Sequence, residues 1–371
     1  MQSFIPQAKI LMGPGPSDVS QTVLDALARP TIGHLDPSFI QLMDETKTLL
    51  QYVFQTKNAL TMPISAPGSA GMEACFVNLI EPGDKVIVCQ NGVFGTRMKE
   101  NVIRAGGDLV LIEDPWGEQT KPEKLEAALK ANPDAKIVAF VHAETSTGVR
   151  NDAQTLCSIA KQHNCLTIVD AVTTLAGIPL YVDDWQIDAI YSGTQKCLSC
   201  VPGLSPVSFS EAALEKIQSR KHPVQSWFLD LNLILGYWGQ GTQRAYHHTA
   251  PVNSIYALHE SLLAVKQEGL ENSWQRHQDN HNYLREQLEG IGLHLTIDEA
   301  YRLPQLNLVD IPDGVDDAKV RQQLLNEYQL EIGAGLGVLA GKVWRIGLMG
   351  QSSNKRNIDA CISALKAVLH K

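Results

Sequence analysis

The chain has 371 residues, of which 44% are hydrophobic and 19% charged, and its net charge at pH 7 is −9. This composition excludes a collagen, a long coiled coil and wholesale disorder, and the length predicts about two domains. The acidic balance gives the chain no electrostatic reason to bind nucleic acid or an anionic membrane surface. No apolar run approaches the roughly 20 residues of a membrane helix, so we expect neither nucleic-acid nor membrane partners.

The cysteines are odd in number and scattered, and most of them lie in apolar segments. Buried, reduced thiols fit this pattern better than a disulfide framework, which favours a reducing compartment. Residues 1–6 lack the basic start and apolar core of a secretory signal. We therefore expect a cytoplasmic protein.

Short, continuously apolar segments alternate with helical patterns through the first two-thirds of the chain. Apolar runs rich in Val and Ile are typical of strands buried on both faces of a mainly parallel sheet. The strand–helix–strand order predicts an open α/β sheet with right-handed crossovers. In chain order, the predicted elements are helix 72–80, strand 85–89, helix 96–105, strand 108–113, helix 122–131, strand 136–142, helix 153–163 and strands 166–170, 187–192 and 206–210.

A long helical segment follows over residues 255–288, and its polar second half favours a connector. Beyond Gly290 the pattern changes to that of a smaller α+β unit. Its predicted elements are strands 293–297, 305–311, 331–333 and 343–348 and helices 316–326 and 354–369. We therefore expect an N-terminal arm over residues 1–20, a large α/β domain over 21–270 and a small C-terminal α+β domain over 271–371.

Polar residues stand where predicted strands end, which is where ligands bind in open α/β sheets. Asp170 ends one strand and Lys196 follows another, while Gly68, Ser69 and Ala70 precede a helix. A lysine amine can form a Schiff base with pyridoxal phosphate, and an aspartate can pair with the protonated pyridine nitrogen. Backbone N–H groups at a helix N-terminus suit the phosphate. A surface lysine, a capping aspartate and a plain turn would explain the same residues, so these features alone leave both interpretations open.

Motifs spread along almost the whole chain carry a family resemblance. They are Leu11-Met12-Gly13-Pro14-Gly15-Pro16-Ser17, Gly33-His34, Glu81-Pro82-Gly83-Asp84, His142-Ala143-Glu144-Thr145-Ser146-Thr147-Gly148, Val169-Asp170-Ala171-Val172, Tyr191-Ser192-Gly193-Thr194-Gln195-Lys196, Tyr246-His247-His248-Thr249-Ala250-Pro251 and Val343-Trp344-Arg345-Ile346-Gly347. With these motifs in order, the chain resembles the class V aminotransferases of fold type I, and within them the alanine/serine–glyoxylate aminotransferases. The resemblance implies a mainly parallel sheet of the seven-stranded type, a smaller C-terminal α+β domain and pyridoxal 5'-phosphate as cofactor.

The same resemblance implies a role for each matching residue. Lys196 and Asp170 are the implied catalytic residues. Lys196 is implied to bind the cofactor covalently, and Asp170 to pair with its pyridinium nitrogen. Arg345 is implied to grip the substrate α-carboxylate, with Gly15 and His34 as further substrate-binding residues. The other implied cofactor-binding residues are Gly68, Ser69, Ala70, Phe94, Thr145, Val172, Gln195, Tyr246 and Thr249.

The implied reaction is a ping-pong transfer of the amino group of alanine or serine to glyoxylate. Its substrates are small amino acids and keto acids. Tyr246 and Thr249 are implied to reach the phosphate of the other subunit's site, so the resemblance implies a homodimer with shared active sites. Animal members of the family have a tryptophan where Phe94 stands, and a Ser-Gly-His sequence in the phosphate loop where this chain reads Pro67-Gly68-Ser69-Ala70.

Two other functions compete with this one. A pyridoxal-phosphate-dependent lyase or cysteine desulfurase needs a nucleophilic cysteine on a loop over the cofactor, and the glycine-rich segment 333–341 contains none. A non-enzymatic electron carrier would use the C-x-x-C pair Cys197 and Cys200. No second cysteine pair or suitably spaced histidine pair completes a metal set, so we expect no bound metal.

Overall fold

The computed structural model describes residues 1–239 and 244–370. Its strands are β1 (Ile10–Leu11), β2 (Leu60–Ile64), β3 (Lys85–Gln90), β4 (Asp108–Glu113), β5 (Ile137–Val141), β6 (Ala143–Glu144), β7 (Val149–Arg150), β8 (Leu166–Asp170), β9 (Ala189–Tyr191), β10 (Ser205–Phe209), β11 (Leu306–Asp310), β12 (Leu330–Glu331), β13 (Gly333–Ala334) and β14 (Val343–Gly347). Its helices are α1 (Gln21–Leu27), α2 (Pro37–Phe54), α3 (Gly68–Leu79), α4 (Val93–Arg104), α5 (Pro122–Ala131), α6 (Ala153–Gln162), α7 (Glu211–Gln218), α8 (Leu231–Trp238), α9 (Val252–Glu268), α10 (Leu270–Glu289), α11 (Asp317–Tyr328) and α12 (Lys355–Leu369).

The central sheet has the strand order β2-β10-β9-β8-β5-β3-β4. The strands from β9 to β4 run parallel to one another, whereas β10 runs antiparallel to both β9 and β2. The mainly parallel, seven-stranded α/β sheet is therefore confirmed. Sequence analysis missed β2, which contains Pro63 and is buried along its length. Proline cannot donate a ladder hydrogen bond, and β2 tolerates it because it is an edge strand.

Helices pack against this sheet and exclude water from it. α4 contacts β3, β4 and β5, and α3 contacts β8, β9 and β10. The residues Val138, Phe140 and Ile168 at the centre of the sheet are fully buried. This burial explains why β5 is apolar at every position rather than at alternate ones.

The last third of the chain builds a second, smaller unit. Its sheet has the order β11-β14-β13, and α11 and α12 pack beside it. The hydrophobic cluster around Trp344 and Leu365 is separate from the large cluster under the central sheet, which extends to Leu270. Trp274 in α10 still packs against the large cluster, so the domain boundary between residues 270 and 271 stays a prediction. The first residues also join the small unit, because β1 pairs in parallel with β12 and places Ile10 beside Leu330.

Two predictions for this region need correction. The long connector is two helices, α9 and α10, which meet at Gly269 with a φ of +85°, a conformation that favours glycine. The expected strand 293–297 is a single bridge between Leu295 and Val309, flanked by two backbone hydrogen bonds. Over residues 1–239 and 244–370, no helix is long and apolar enough to cross a membrane.

Candidate active site

A cavity of about 210 Å³ lies where β8 and β9 end. Carboxyl ends of parallel strands are the expected place for a ligand in such a sheet. The cavity brings together most of the residues proposed to bind the cofactor. These are Gly68, Ser69, Phe94, Thr145, Asp170, Val172, Gln195 and Lys196.

One end of the cavity is built from backbone N–H groups. α3 begins at Gly68, and no described side chain caps its first turn. Gly68 is buried, and a Cβ atom there would lie 3.3 Å from Val172 Cγ2, so a larger residue would crowd the opposite wall. Gln195 Oε1 is buried with no hydrogen-bond partner among the described residues. The uncapped helix N-terminus offers free N–H donors to an anionic group such as a phosphate, whereas Gln195 Oε1 is an acceptor and only the Nε2 group of that amide would donate to one.

Lys196 projects its amine into the cavity from the segment after β9. Its Nζ donates a hydrogen bond to the carbonyl oxygen of Pro14, and Ser17 Oγ donates to the carbonyl oxygen of Lys196 at 2.7 Å. Gly15, with a φ of +106°, lies directly against the amine, because a Cβ atom there would be 2.4 Å from Nζ. Burial lowers the pKa of Lys196 to about 8, which increases the share of neutral, nucleophilic amine near neutral pH.

Asp170 ends β8 and is held by two donors. Its Oδ1 accepts from the Val172 N–H at 2.8 Å, and its Oδ2 accepts from the Tyr191 hydroxyl at 2.7 Å. Burial raises the pKa of Asp170 to about 6, while the two hydrogen bonds and the nearby Lys196 favour the ionised form. The carboxylate is therefore mostly ionised at neutral pH. Sequence analysis did not single out Tyr191, although pairing β8 with β9 in parallel register would have placed it beside Asp170.

An aromatic ring and a cation form a side wall of the cavity. Phe94 stands in the first turn of α4, and the Arg97 guanidinium carbon lies 4.8 Å from its ring centroid. The two residues are three apart on one helix and so share a face. Sequence analysis missed Arg97, which also lines the cavity.

Arg345 reaches this region from the second sheet. It lies in β14, where its Nε donates to the Ala334 carbonyl oxygen at 2.6 Å and its Nη1 donates to the Thr145 carbonyl oxygen at 3.2 Å. No carboxylate of the described residues lies within ion-pair distance of it. Burial lowers the pKa of Arg345 to about 10, which leaves it charged at neutral pH. A buried guanidinium without a carboxylate partner suits an anionic ligand group.

Six predicted site residues do not line the cavity of the single chain: Gly15 and Arg345, which contact residues of its wall, and His34, Ala70, Tyr246 and Thr249. Tyr246 is 63% exposed, and its hydroxyl lies 3.4 Å from Thr249 Oγ1. The His34 ring lies 5.2 Å from the Tyr246 ring, so these three residues form a separate surface group. Ala70 is partly buried against the large hydrophobic cluster.

A larger cavity of about 1030 Å³ lies between α2 and α9, away from these residues. Its polar lining groups include a pair in which His259 Nε2 is 3.2 Å from Glu45 Oε2. It contains neither the uncapped helix start nor the buried lysine and aspartate. We therefore place the chemistry in the smaller cavity. The described residues contain no cluster that would hold a metal ion.

Several known proteins that this chain resembles in sequence and structure are aminotransferases. The family model of the class-V aminotransferases matches residues 13–359. The chain is 40% identical over 366 residues to the alanine–glyoxylate aminotransferase of Felis catus. The aligned region covers 98% of this chain and 88% of that protein. The crystal structure of an alanine–glyoxylate aminotransferase from Nostoc sp. has a TM-score of 0.97 at 48% identity, covering 100% of this chain and 97% of that chain. The crystal structure of the ureidoglycine–glyoxylate aminotransferase of Bacillus subtilis has a TM-score of 0.97 at 37% identity. The match covers 100% of this chain and 95% of that chain.

Proposed function

The chain belongs to the class-V aminotransferases, and from that membership we propose that it moves the amino group of alanine or serine to glyoxylate. It is an aminotransferase that depends on pyridoxal phosphate. One observation carries the proposal: the Lys196 amine and the Asp170 carboxylate face one cavity, and the unpaired Arg345 guanidinium contacts Thr145 in its wall. The relatives whose names include glyoxylate support the acceptor.

The cavity fits the cofactor. The uncapped N-terminus at Gly68 and Ser69 and the Nε2 group of Gln195 would donate to its phosphate, and Phe94 and Val172 would pack on its ring. When bound, pyridoxal phosphate supplies an aldehyde that takes up amines and a protonated ring that accepts electrons. Thr145 and Asp170 would complete the contacts to the ring.

Each proposed catalytic residue has a task that its surroundings support. The Asp170 carboxylate, fixed by Val172 and Tyr191, holds the proton on the pyridine nitrogen. Lys196 Nζ, with its lowered pKa, would take the proton from the substrate α-carbon and pass it to the C4′ carbon of the cofactor. Arg345 binds the carboxylate of the amino acid and then that of the keto acid, because one cavity serves both half-reactions.

A panel of amino donors tests the proposed substrates. With glyoxylate as acceptor, we expect alanine or serine to give the highest kcat/KM, and we expect pyruvate to be a poorer acceptor than glyoxylate. Initial rates for both donors, with (S)-ureidoglycine as a third, measure this. A third donor that exceeds both by more than about tenfold, roughly 1.4 kcal/mol, would replace the proposed substrates.

Arg345→Lys should weaken the use of all carboxylate substrates. Lysine keeps the charge but loses the planar fork that matches a carboxylate, so we expect kcat/KM to fall by roughly 1.5–3 kcal/mol, about 10- to 150-fold. Kinetics with alanine and glyoxylate measure the loss.

An amine without a carboxylate is the control for this variant. Its slow reaction should change little, because Arg345 would have no group to bind. If the variant loses both kinds of substrate equally, Arg345 has a structural role or the protein is misfolded.

We further propose a homodimer in which Tyr246 and Thr249 complete the other subunit's phosphate site. Trp227 and Tyr246 are 62% and 63% exposed, and the Trp227 ring stacks on His247 at 4.5 Å, next to Tyr246 in the chain. Large aromatic side chains exposed together are typical of an interaction surface. This exposed aromatic surface supports a subunit interface at the segment that contains Tyr246 and Thr249.

Subunit mixing tests the shared site. We expect equal amounts of Lys196→Ala and of a Tyr246→Ala/Thr249→Ala double variant, each inactive alone, to regain about a quarter of wild-type activity. Half of the randomly formed dimers would be mixed, and each of these would have one intact site. Subunit exchange is verified by mass spectrometry of tagged chains. An exchanged mixture that stays as inactive as its components would contradict shared sites.

The cytoplasm is the compartment that we propose. The cysteines of the chain are buried and free, which fits a reducing environment. Burial raises the pKa of Cys197 and of Cys200 to about 12, so neither is a reactive thiolate, and the described residues place no metal-ligating cluster around this pair. The desulfurase alternative has no support from the glycine-rich segment 333–341, which lacks a cysteine.

A further inference from the structure

The first turn of α4 is capped by residues from a distant part of the chain. Its N-cap residue, Gly92, has no side chain to satisfy the free N–H groups. Glu144 Oε2 accepts from the N–H groups of Phe94 and Gly95 at 3.1 and 3.3 Å. Ser146 Oγ accepts from the Val93 N–H at 2.9 Å. Residues at the end of β6 therefore supply the cap of α4.

The hydrogen bonds around Glu144 favour its ionised form. Its other oxygen, Oε1, accepts from the Ser146 hydroxyl at 2.5 Å and from the Ser146 N–H at 3.1 Å. Glu144 is fully buried, and all four of its neighbours are donors, so a proton on either oxygen would displace one of them. Burial raises the pKa of Glu144 to about 7, and the hydrogen bonds from Ser146 and Gly95 oppose that shift.

The cap adjoins two residues that line the cavity. Phe94 and Thr145 both line it, and the Thr145 carbonyl oxygen accepts from Arg345. The packing is close, because a Cβ atom on Gly92 would lie 2.5 Å from the Glu144 side chain. A shift of the Glu144 carboxylate would therefore move the Phe94 ring and the Thr145 backbone together.

We propose that Glu144 is a positioning residue for the cofactor, whose carboxylate fixes Phe94 and Thr145 in the cavity wall. The inference rests on the proposed function of this site and extends it to a residue that does not line the cavity. In Glu144→Gln, an NH2 group replaces one acceptor oxygen. This donor then faces N–H or O–H donors, so the hydrogen bonds made by that oxygen are lost. We expect the cofactor to bind roughly 10- to 100-fold more weakly.

Titration of the apoprotein with pyridoxal phosphate tests the proposal without measuring turnover. Absorbance gives the dissociation constant, and circular dichroism in the cofactor band reports the orientation of the ring. We expect both to change in Glu144→Gln. Ser146→Ala, which keeps the carboxylate but removes the Val93 acceptor, should weaken binding severalfold.

Asp152→Asn is the matched control. Asp152 caps α6, accepting from the Thr155 N–H at 3.1 Å and its hydroxyl at 2.7 Å, outside the cavity. The melting temperature of the Asp152→Asn variant should fall slightly, and its affinity for the cofactor should equal that of the wild-type protein. Wild-type affinity and dichroism in Glu144→Gln, even at a lowered melting temperature, would overturn the proposal. If Glu144→Gln does not fold, unchanged affinity in Ser146→Ala overturns it. A wild-type protein that binds no cofactor would overturn both this proposal and the proposed function.

Discussion

Lys196→Ala should lower kcat by at least about 10³-fold, because the variant loses both the amine that binds the cofactor and the base that moves the α-proton. The buried position of Lys196, with its pKa lowered to about 8, supports both tasks. Single-turnover kinetics with alanine measure the loss. Borohydride reduction of the wild-type protein, followed by peptide mapping, should place the label on Lys196.

The exposed Lys130 provides a matched control. Its side chain is 66% exposed and pairs with Glu126 on α5, so Lys130→Ala should keep wild-type kcat and labelling. A label on any lysine other than Lys196 would contradict the assignment. So would a Lys196→Ala variant within tenfold of wild-type turnover.

Asp170→Asn should retain much of its cofactor but lose about 10²–10³-fold in the rate of α-proton removal. An amide cannot stabilise the positive charge of the protonated ring, so the ring accepts electrons less well. The loss should appear as a larger kinetic isotope effect with α-deuterated alanine, because proton removal becomes more strongly rate-limiting. Absorbance of the bound cofactor shows whether the variant is loaded.

Tyr191→Phe separates charge from orientation in this prediction. It keeps the carboxylate and removes only the 2.7 Å hydrogen bond to Asp170 Oδ2, so its loss should be smaller than that of Asp170→Asn. Near-normal turnover in a folded, cofactor-loaded Asp170→Asn variant would show that Asp170 does not hold the ring proton.

Sequence patterns predicted the parts of the fold that depend on local burial. β5 is apolar at every position and β8 at Leu166, Ile168 and Val169, because both strands lie inside the sheet, and that pattern is visible in the chain. β2 was missed because Pro63 is atypical of a strand, and the place of β2 at the sheet edge leaves one of its sides without a ladder partner. The order of strands in the sheet decides whether a segment with a proline can be a strand, and no local sequence pattern encodes that order.

The site divides in a similar way. Lys196 and Asp170 stand directly at strand ends, so the sequence identified both as candidates. Glu144 lies inside a motif, but its function depends on a contact with α4, 50 residues away. Arg345 was proposed through family resemblance alone, because its contact with Thr145 joins residues 200 positions apart. Long-range contacts of this kind follow from the tertiary structure and not from spacing.

The pairing of β1 with β12 determines when this site can form during synthesis. β1 holds the segment that carries Pro14, the acceptor for the Lys196 amine, yet its partner strand begins at Leu330. A growing chain that already contains all of the central sheet therefore still lacks the strand with which β1 pairs. Since contacts of high sequence separation form late, we expect the Pro14 carbonyl to be fixed beside the Lys196 amine only once β12 has been made, although Ser17 can already bond the Lys196 carbonyl oxygen before that. Completion of the cavity is thus delayed until the chain is nearly whole.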